Sequence, residues 1–473
     1  MKNVTWSLIA TFSERGFVVI FSIILGNILL PEELGLYIAL MLLVVYATTF
    51  LTFSLQHGIV KKINDENLPE KKSQYFSAGF LSCLLISAVS IILIYIFNDI
   101  FISIFHLEEN EKYFFFILPL IPMQIVSTYL NGVLQSVLKI KEMALISIFS
   151  TIVRICSAVG LFLLGLRISA VIIGAYAANF VLILFLFLFS LKSFNFLINN
   201  KIWSAGKNLL LFSLLLFPSA IAGFLDKKID IFFVNYLLEK DQVAVYSYAI
   251  NLALMMLLLG NSISRVTFPK LSHAFSENNK SVINKIYLDS LNFSFFVLSG
   301  GSLIVLFHLK QIISIILPDI YLDLIPSFSL LVILIVLMAS FSSVGTIFTS
   351  FGKPLYNLMP IICSLSVNII LNIILIPKFG ILGAAIATGS SYMLRFLILI
   401  SITERKIGTE YRYWKLSLIY IIFLLAVYFG IYHLNIALKE IVVVLYLIGC
   451  YKILLTKSQR TYLKDSVFKL IRK

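Results

Sequence analysis

Leu209-Leu-Leu-Phe-Ser-Leu-Leu-Leu-Phe-Pro-Ser-Ala-Ile-Ala-Gly-Phe-Leu-Asp-Lys-Lys-Ile-Asp-Ile-Phe-Phe-Val-Asn-Tyr-Leu-Leu238 decides how this chain folds. Its charged centre, Asp226-Lys227-Lys228-Ile229-Asp230, is either a loop between two apolar segments or the middle of one long helix. Read as a loop, it leaves only 231–238 to cross back, far short of the ~20 residues that ~30 Å of hydrocarbon demands. It would also set two lysines on the side of a membrane that is otherwise poor in cations. The stretch is therefore read as a single span with charges at membrane depth.

The same reading extends in both directions. About fourteen apolar stretches, near 6–30, 34–56, 75–97, 113–137, 143–165, 169–190, 209–237, 242–265, 287–309, 325–350, 357–376, 381–401, 416–434 and 439–456, are each long enough to span a bilayer. A hydrophobic content of 60% against 13% charge agrees. The expected fold is all-α: a polytopic membrane protein of about 14 helices, as two six-helix lobes around a central cavity plus two extra helices. Lys and Arg collect in alternate gaps, for example Lys61, Lys62, Lys71 and Lys72, or Arg405, Lys406, Arg412 and Lys415. The other gaps hold only Lys112, Arg167, Lys240, Lys310, Lys378 and Lys439, so both termini are expected in the cytoplasm. The N-terminal stretch has no small-residue cleavage site and is read as the first helix.

The net charge of +14 is thereby assigned to loops facing anionic lipid and not to nucleic acid, for which no binding motif is present. Cys83, Cys156, Cys363 and Cys450 lie inside apolar stretches, which predicts no disulfides. His57, His106, His273, His308 and His433 are scattered without partners at ligand spacing, so no metal site is predicted.

A shift of roughly 210 residues lays the chain on itself. Leu29-Leu-Pro-Glu-Glu-Leu-Gly-Leu-Tyr37 then faces Leu237-Leu-Glu-Lys-Asp-Gln-Val-Ala-Val-Tyr246, and Gly165–Gly174 faces Phe379–Thr388. Domain expectations follow: an N-terminal lobe over 1–190, a C-terminal lobe over 209–401, an extra pair over 416–456 and a basic cytoplasmic tail over 457–473, with the polar linker 191–208 as the lobe boundary.

Ionisable groups at membrane depth are costly and mark function. Arg15, Arg154, Lys227, Lys228 and Arg395 are the candidate substrate-binding cations, suited to phosphate or carboxylate. Arg154 has a structural alternative, pairing with Glu14 or an aspartate across a helix interface, and Arg395 can instead snorkel to the interface. Glu14, Asp226 and Asp230 are candidates for taking up H+ or Na+, or for pairing with the cations. Asp226 and Asp230 share a helix face with Ser219 and Gly223, whereas Lys227 and Lys228 are rotated away by ~100° and ~200°. Pro218 is placed to bend the span. Asn131 with Gln135, and Asn368 with Asn372, either line the cavity or stitch helices together.

Leu25-Gly-Asn-Ile-Leu-Leu-Pro-Glu-Glu-Leu-Gly-Leu-Tyr37, Asp226-Lys-Lys-Ile-Asp-Ile-Phe-Phe-Val234, Val243-Ala-Val-Tyr-Ser-Tyr-Ala249, Phe268-Pro-Lys-Leu-Ser272 and Ile376-Pro-Lys-Phe-Gly-Ile-Leu-Gly-Ala-Ala-Ile-Ala-Thr388 occur in that order. As a set they resemble the polysaccharide flippases of the multidrug/oligosaccharidyl-lipid/polysaccharide exporter superfamily, the Wzx-type O-antigen and capsule transporters. The resemblance implies a cationic lumen and alternating access. The cargo it implies is an undecaprenyl-diphosphate-linked oligosaccharide, an O-antigen (lipopolysaccharide) or capsule repeat unit, moved across a bacterial inner membrane. Partners would be that lipid-linked oligosaccharide, membrane lipids, a polysaccharide polymerase and a chain-length regulator. By position, Arg15 and either Lys227 or Lys228 match family sites where cations commonly face the lumen, and Asp226 matches the acidic residue that opens the seventh-span motif. About fourteen spans, where many O-antigen members have twelve, keep a lipid II flippase for peptidoglycan synthesis as an alternative. A membrane-embedded polymerase or ligase is the enzymatic alternative, disfavoured by short outer loops, and no cofactor is expected. No GxxxxGK[ST] loop is present, so energy is expected from H+, Na+ or membrane potential and not from direct ATP use.

Overall fold

The computed structural model describes residues 16–353, 355–408, 414–432, 436–456 and 459–461. Glu14, Arg15 and nearly all of the basic tail lie outside the described residues. The chain forms two compact units, Met1–Ala244 and Val245–Lys473.

The first unit holds α1 (Gly16–Ile28), α2 (Pro31–Leu51), α3 (Leu55–Asp65), α4 (Pro69–Ile96), α5 (Asn98–Ile104), α6 (Glu111–Ile117), α7 (Leu120–Ser136), α8 (Ile140–Leu163), α9 (Arg167–Leu191) and α10 (Ile202–Leu237). α11 (Lys240–Ser276) crosses the boundary, and the second unit continues with α12 (Lys280–Phe307), α13 (Leu309–Ile316), α14 (Leu324–Phe341), α15 (Ile347–Ser350), α16 (Leu355–Ile407), α17 (Trp414–Tyr432) and α18 (Ile436–Ile453). Every expected apolar stretch carries helix in its described part. Among the described residues nine helices are long and apolar enough to cross a membrane, ten when the bent pair Glu108–Ile117 and Leu120–Ser136 is one span. The chain is a multi-pass membrane protein. Helix is the form that satisfies the backbone within the segment, and large side chains such as Leu85, Ile92 and Tyr95 stand exposed on α4, as lipid allows.

α16 runs for 53 residues but turns back on itself at Gly380, whose φ of 57° is open to glycine. It therefore supplies two spans. A long helix followed by a short one occurs in each unit, α4–α5 in the first and α12–α13 in the second.

α10 belongs with the first unit. An added Cβ at Gly58 of α3 would lie 1.9 Å from the Ser213 Oγ of α10, and Gly206 of α10 sits against Ser82 and Ala78 of α4. The compact unit thus reaches Ala244, one helix beyond the polar linker at 191–208.

Candidate functional site

α2 begins with Pro31 in its first turn, and Glu33 accepts the Leu30 N–H at 3.1 Å, so the chain is capped where it enters the helix. The Glu33 carboxylate also takes both arms of Arg167 at the start of α9, Nε to Oε1 at 2.6 Å and Nη2 to Oε2 at 2.9 Å. One turn further on, the Tyr37 hydroxyl accepts a hydrogen bond from Nη2 of Arg154, in α8. The Arg154 guanidinium also lies over the Phe21 ring, 4.7 Å from its centroid. Its Nε is buried and has no hydrogen-bond partner among the described residues. Gly174 of α9 allows the close approach that fixes this part of α8, because an added Cβ would stand 2.9 Å from the Arg154 carbonyl oxygen.

α10 is one helix of 36 residues, about 54 Å long, and passes unbroken through Asp226–Asp230. That is the arrangement expected from the sequence. Asp230 is buried, Asp226 and Lys228 are half-buried and Lys227 is exposed, in keeping with their different faces. Asp226, Lys228 and Asp230 all have partners. Tyr46 of α2 donates its hydroxyl to the Lys228 carbonyl at 3.3 Å, and its ring packs on Phe224 and Phe232 at 4.8 and 5.5 Å. The charged turn is thus bracketed by aromatic rings.

A second polar group lies in the other unit, across the α16 hairpin. Nε and Nη2 of Arg395 donate to Ser364 Oγ at 2.9 and 2.6 Å. Asn368 Nδ2 reaches Thr388 Oγ1 at 3.2 Å and Ser391 Oγ at 3.4 Å, and Asn372 Nδ2 donates to Asn368 Oδ1 at 2.8 Å. Tyr246 closes the chain, its hydroxyl 3.3 Å from Thr388 Oγ1. Asn368 therefore stitches the hairpin, and Asn372 holds the Asn368 amide from the same half. Arg395 is only 5% exposed and is held between the two halves of α16, with its guanidinium on Ser364 and stacked on Tyr392 at 4.9 Å.

Asn131 donates to the Ser127 carbonyl of its own helix at 3.1 Å, and Gln135 is exposed; neither joins these groups. Among the described residues no three His, Cys, Asp or Glu converge as metal ligands. Sequence reasoning missed Tyr37, Tyr46, Ser364, Thr388 and Ser391. Two tyrosines carried a signal: Tyr37 and Tyr246 end the matched stretches, and each reaches a polar residue of its own unit's later helices.

The family profile "Polysaccharide biosynthesis protein" matches residues 1–275, which include α1 to α10 and most of α11. The chain belongs to this family. A relative from Haloferax volcanii, the "Probable low-salt glycan biosynthesis flippase Agl15", is 21% identical over 206 residues, 42% of each chain. The "Uncharacterized membrane protein MJ1068" of Methanocaldococcus jannaschii is 27% identical over 187 residues, 38% of this chain and 35% of that one. The chain thus spans about two fifths of the length of the curated relatives it matches. Among solved structures, "Lipid II flippase MurJ, inward closed conformation" superposes with a TM-score of 0.75 at 18% identity, over 98% of this chain and 99% of that one. An inward-facing multidrug resistance MATE family transporter of the MOP superfamily gives 0.66 at 15% identity, over 85% and 98%. The fold is that of the MOP exporters, and the resemblance read from the sequence is borne out.

Proposed function

We propose that the protein is a flippase that carries a lipid-linked oligosaccharide across a bacterial inner membrane by alternating access. The preferred cargo is an undecaprenyl-diphosphate-linked O-antigen or capsule unit, handed to a polymerase and its chain-length regulator. The observation that carries the reading is the family match over the residues that hold Arg154 and the Asp226–Asp230 turn. Arg154 is the best-supported contact for the diphosphate: it lies within α8, held by a phenol and a ring. Arg15, Lys227 and Lys228 would add positive charge, and Glu14, Asp226 and Asp230 are the acids available to bind H+ or Na+. Arg395 and Asn368 hold the α16 hairpin in this reading, and Asn372 holds the Asn368 amide.

Deletion of the gene followed by complementation tests the proposal. Loss of surface polysaccharide with normal growth is expected, restored by wild type and not by well-expressed Arg154→Ala or Lys227→Ala/Lys228→Ala chains. Restoration by every variant would sink the cation assignment. A second reading, flipping of the peptidoglycan precursor lipid II, is favoured by the near full-length superposition on MurJ. Lysis on depletion would select it.

A further inference from the structure

We propose that Tyr37 is a positioning residue, orienting the Arg154 guanidinium without neutralising it so that its charge serves an anionic phosphate. The inference rests on the function proposed above. It starts from a contrast on one helix face. Glu33 and Tyr37 lie four residues apart on α2, so their side chains stack on the same side. Each reaches an arginine of the α8–α9 hairpin, and they treat the two cations differently. Glu33 gives Arg167 a bidentate carboxylate and cancels its charge, the usual arrangement for a structural pair. Tyr37 gives Arg154 a neutral phenol oxygen.

The rest of the Arg154 surroundings follow the same rule. Phe21 offers a ring face, and Gly174 offers only close backbone approach. Among the described residues no carboxylate lies within ion-pair distance of Arg154, although it is partly buried. Among the described residues Arg154 thus has no counter-charge, and a partly desolvated cation in that state is costly. That cost falls when an anion arrives, which couples it to binding. The phenol adds a second function. Its oxygen accepts from Nη2, so its own proton is directed away from the guanidinium and can be donated to a phosphate oxygen beside it. Arg154 and Tyr37 together make a two-donor grip, with one positive charge and one neutral hydroxyl.

The test uses the purified full-length chain in detergent, with inorganic pyrophosphate as probe and glucuronate at matched ionic strength as the carboxylate control. Unfolding temperature is measured with and without each anion, so that folding defects are read separately from binding. Pyrophosphate is expected to stabilise the wild type and to leave Arg154→Ala unmoved. Tyr37→Phe should weaken the apparent affinity about tenfold, the loss of one charge-assisted hydrogen bond. Tyr37→Glu should remove the response entirely by neutralising Arg154, and Glu33→Gln should lower the unliganded unfolding temperature while keeping the response. If Arg154→Ala loses the response but both Tyr37 variants keep it, the positioning role is overturned and the cation assignment survives. If Arg154→Ala responds like wild type, the cation assignment itself fails. A wild type stabilised by glucuronate and not by pyrophosphate would overturn the phosphate assignment.

Discussion

Ser364 and Arg395 stand 31 residues apart in one continuous helical segment, yet their side chains are hydrogen-bonded at 2.6 and 2.9 Å. A straight helix would separate them by about 46 Å, so this contact and the Gly380 turn define the hairpin together. Ser364→Ala removes an acceptor from two buried N–H groups of Arg395. It is expected to cost about 1–3 kcal/mol, seen as a lowered thermal unfolding midpoint of the solubilised protein. Ser366→Ala is the control: among the described residues its exposed hydroxyl bonds only to the Ile362 carbonyl of its own helix, at 3.0 Å, and the midpoint should not move.

Gly35 lies in α2 where a Cβ would meet the Lys240 carbonyl oxygen at 1.7 Å. Inside a helix Gly→Ala ordinarily stabilises by up to ~1 kcal/mol. At Gly35 the sign should reverse, because the obstruction is backbone and the α10–α11 turn must move away. Gly160 of α8 has nothing within 4 Å, so Gly160→Ala should keep the ordinary sign. Parallel unfolding curves decide the pair, and equal shifts would contradict the packing.

The spans were legible because ~20 apolar residues in a row admit few alternatives, and the Ile376-Pro-Lys-Phe-Gly380 interruption announced the hairpin. Continuity of α10 through Asp226–Asp230 was legible from span length and loop charge. Arg395 was harder. Sequence places its Cα along a helix, but a long flexible arm can turn toward the interface or toward Ser364, and the choice depends on a partner 31 residues away. Tyr37 was hidden for the same reason, since a tyrosine near the end of an apolar run reads as an interfacial aromatic until its Arg154 contact is seen. The extent of the first unit was hidden too, because it depends on Gly58 and Ser213 meeting across α3 and α10.

Between α2 and α3 the backbone takes left-handed conformations at two successive non-glycine residues, Phe53 at φ 47° and Ser54 at φ 60°. The Phe53 ring rests on Phe217 at 5.4 Å, next to Pro218, so a break in one helix lies beside a proline in its neighbour. Left-handed backbone costs a residue with a Cβ about 1–2 kcal/mol. Ser54 is 2% exposed and its hydroxyl has no partner among the described residues, so glycine would forfeit no hydrogen bond there. Ser54→Gly should therefore raise the unfolding midpoint, and Ser54→Val, β-branched, should lower it. The opposite order would show that the break is not strained.

Orientation follows from the charges gathered at the two ends of the first unit. One end carries the Glu33–Arg167 pair and Lys240, whose Nζ is held by the Phe105 carbonyl and Asn235 Oδ1, both at 2.7 Å. The other carries Lys61 with Asp65, Lys71 with Glu66, and Lys139 and Lys192 around Phe189. The first end is rich in side chains already neutralised or capped, whereas the second adds Lys62, Lys72, Lys201 and Lys207, so the second end should face the cytoplasm. Cys83, Cys156, Cys363 and Cys450 can be replaced to give a background without thiols, and single cysteines introduced at exposed Glu109 and Asn67. A membrane-impermeant maleimide should label Glu109→Cys in intact cells and Asn67→Cys only after permeabilisation. Labelling in the reverse order would invert the topology, and with it the direction in which the proposed cargo travels.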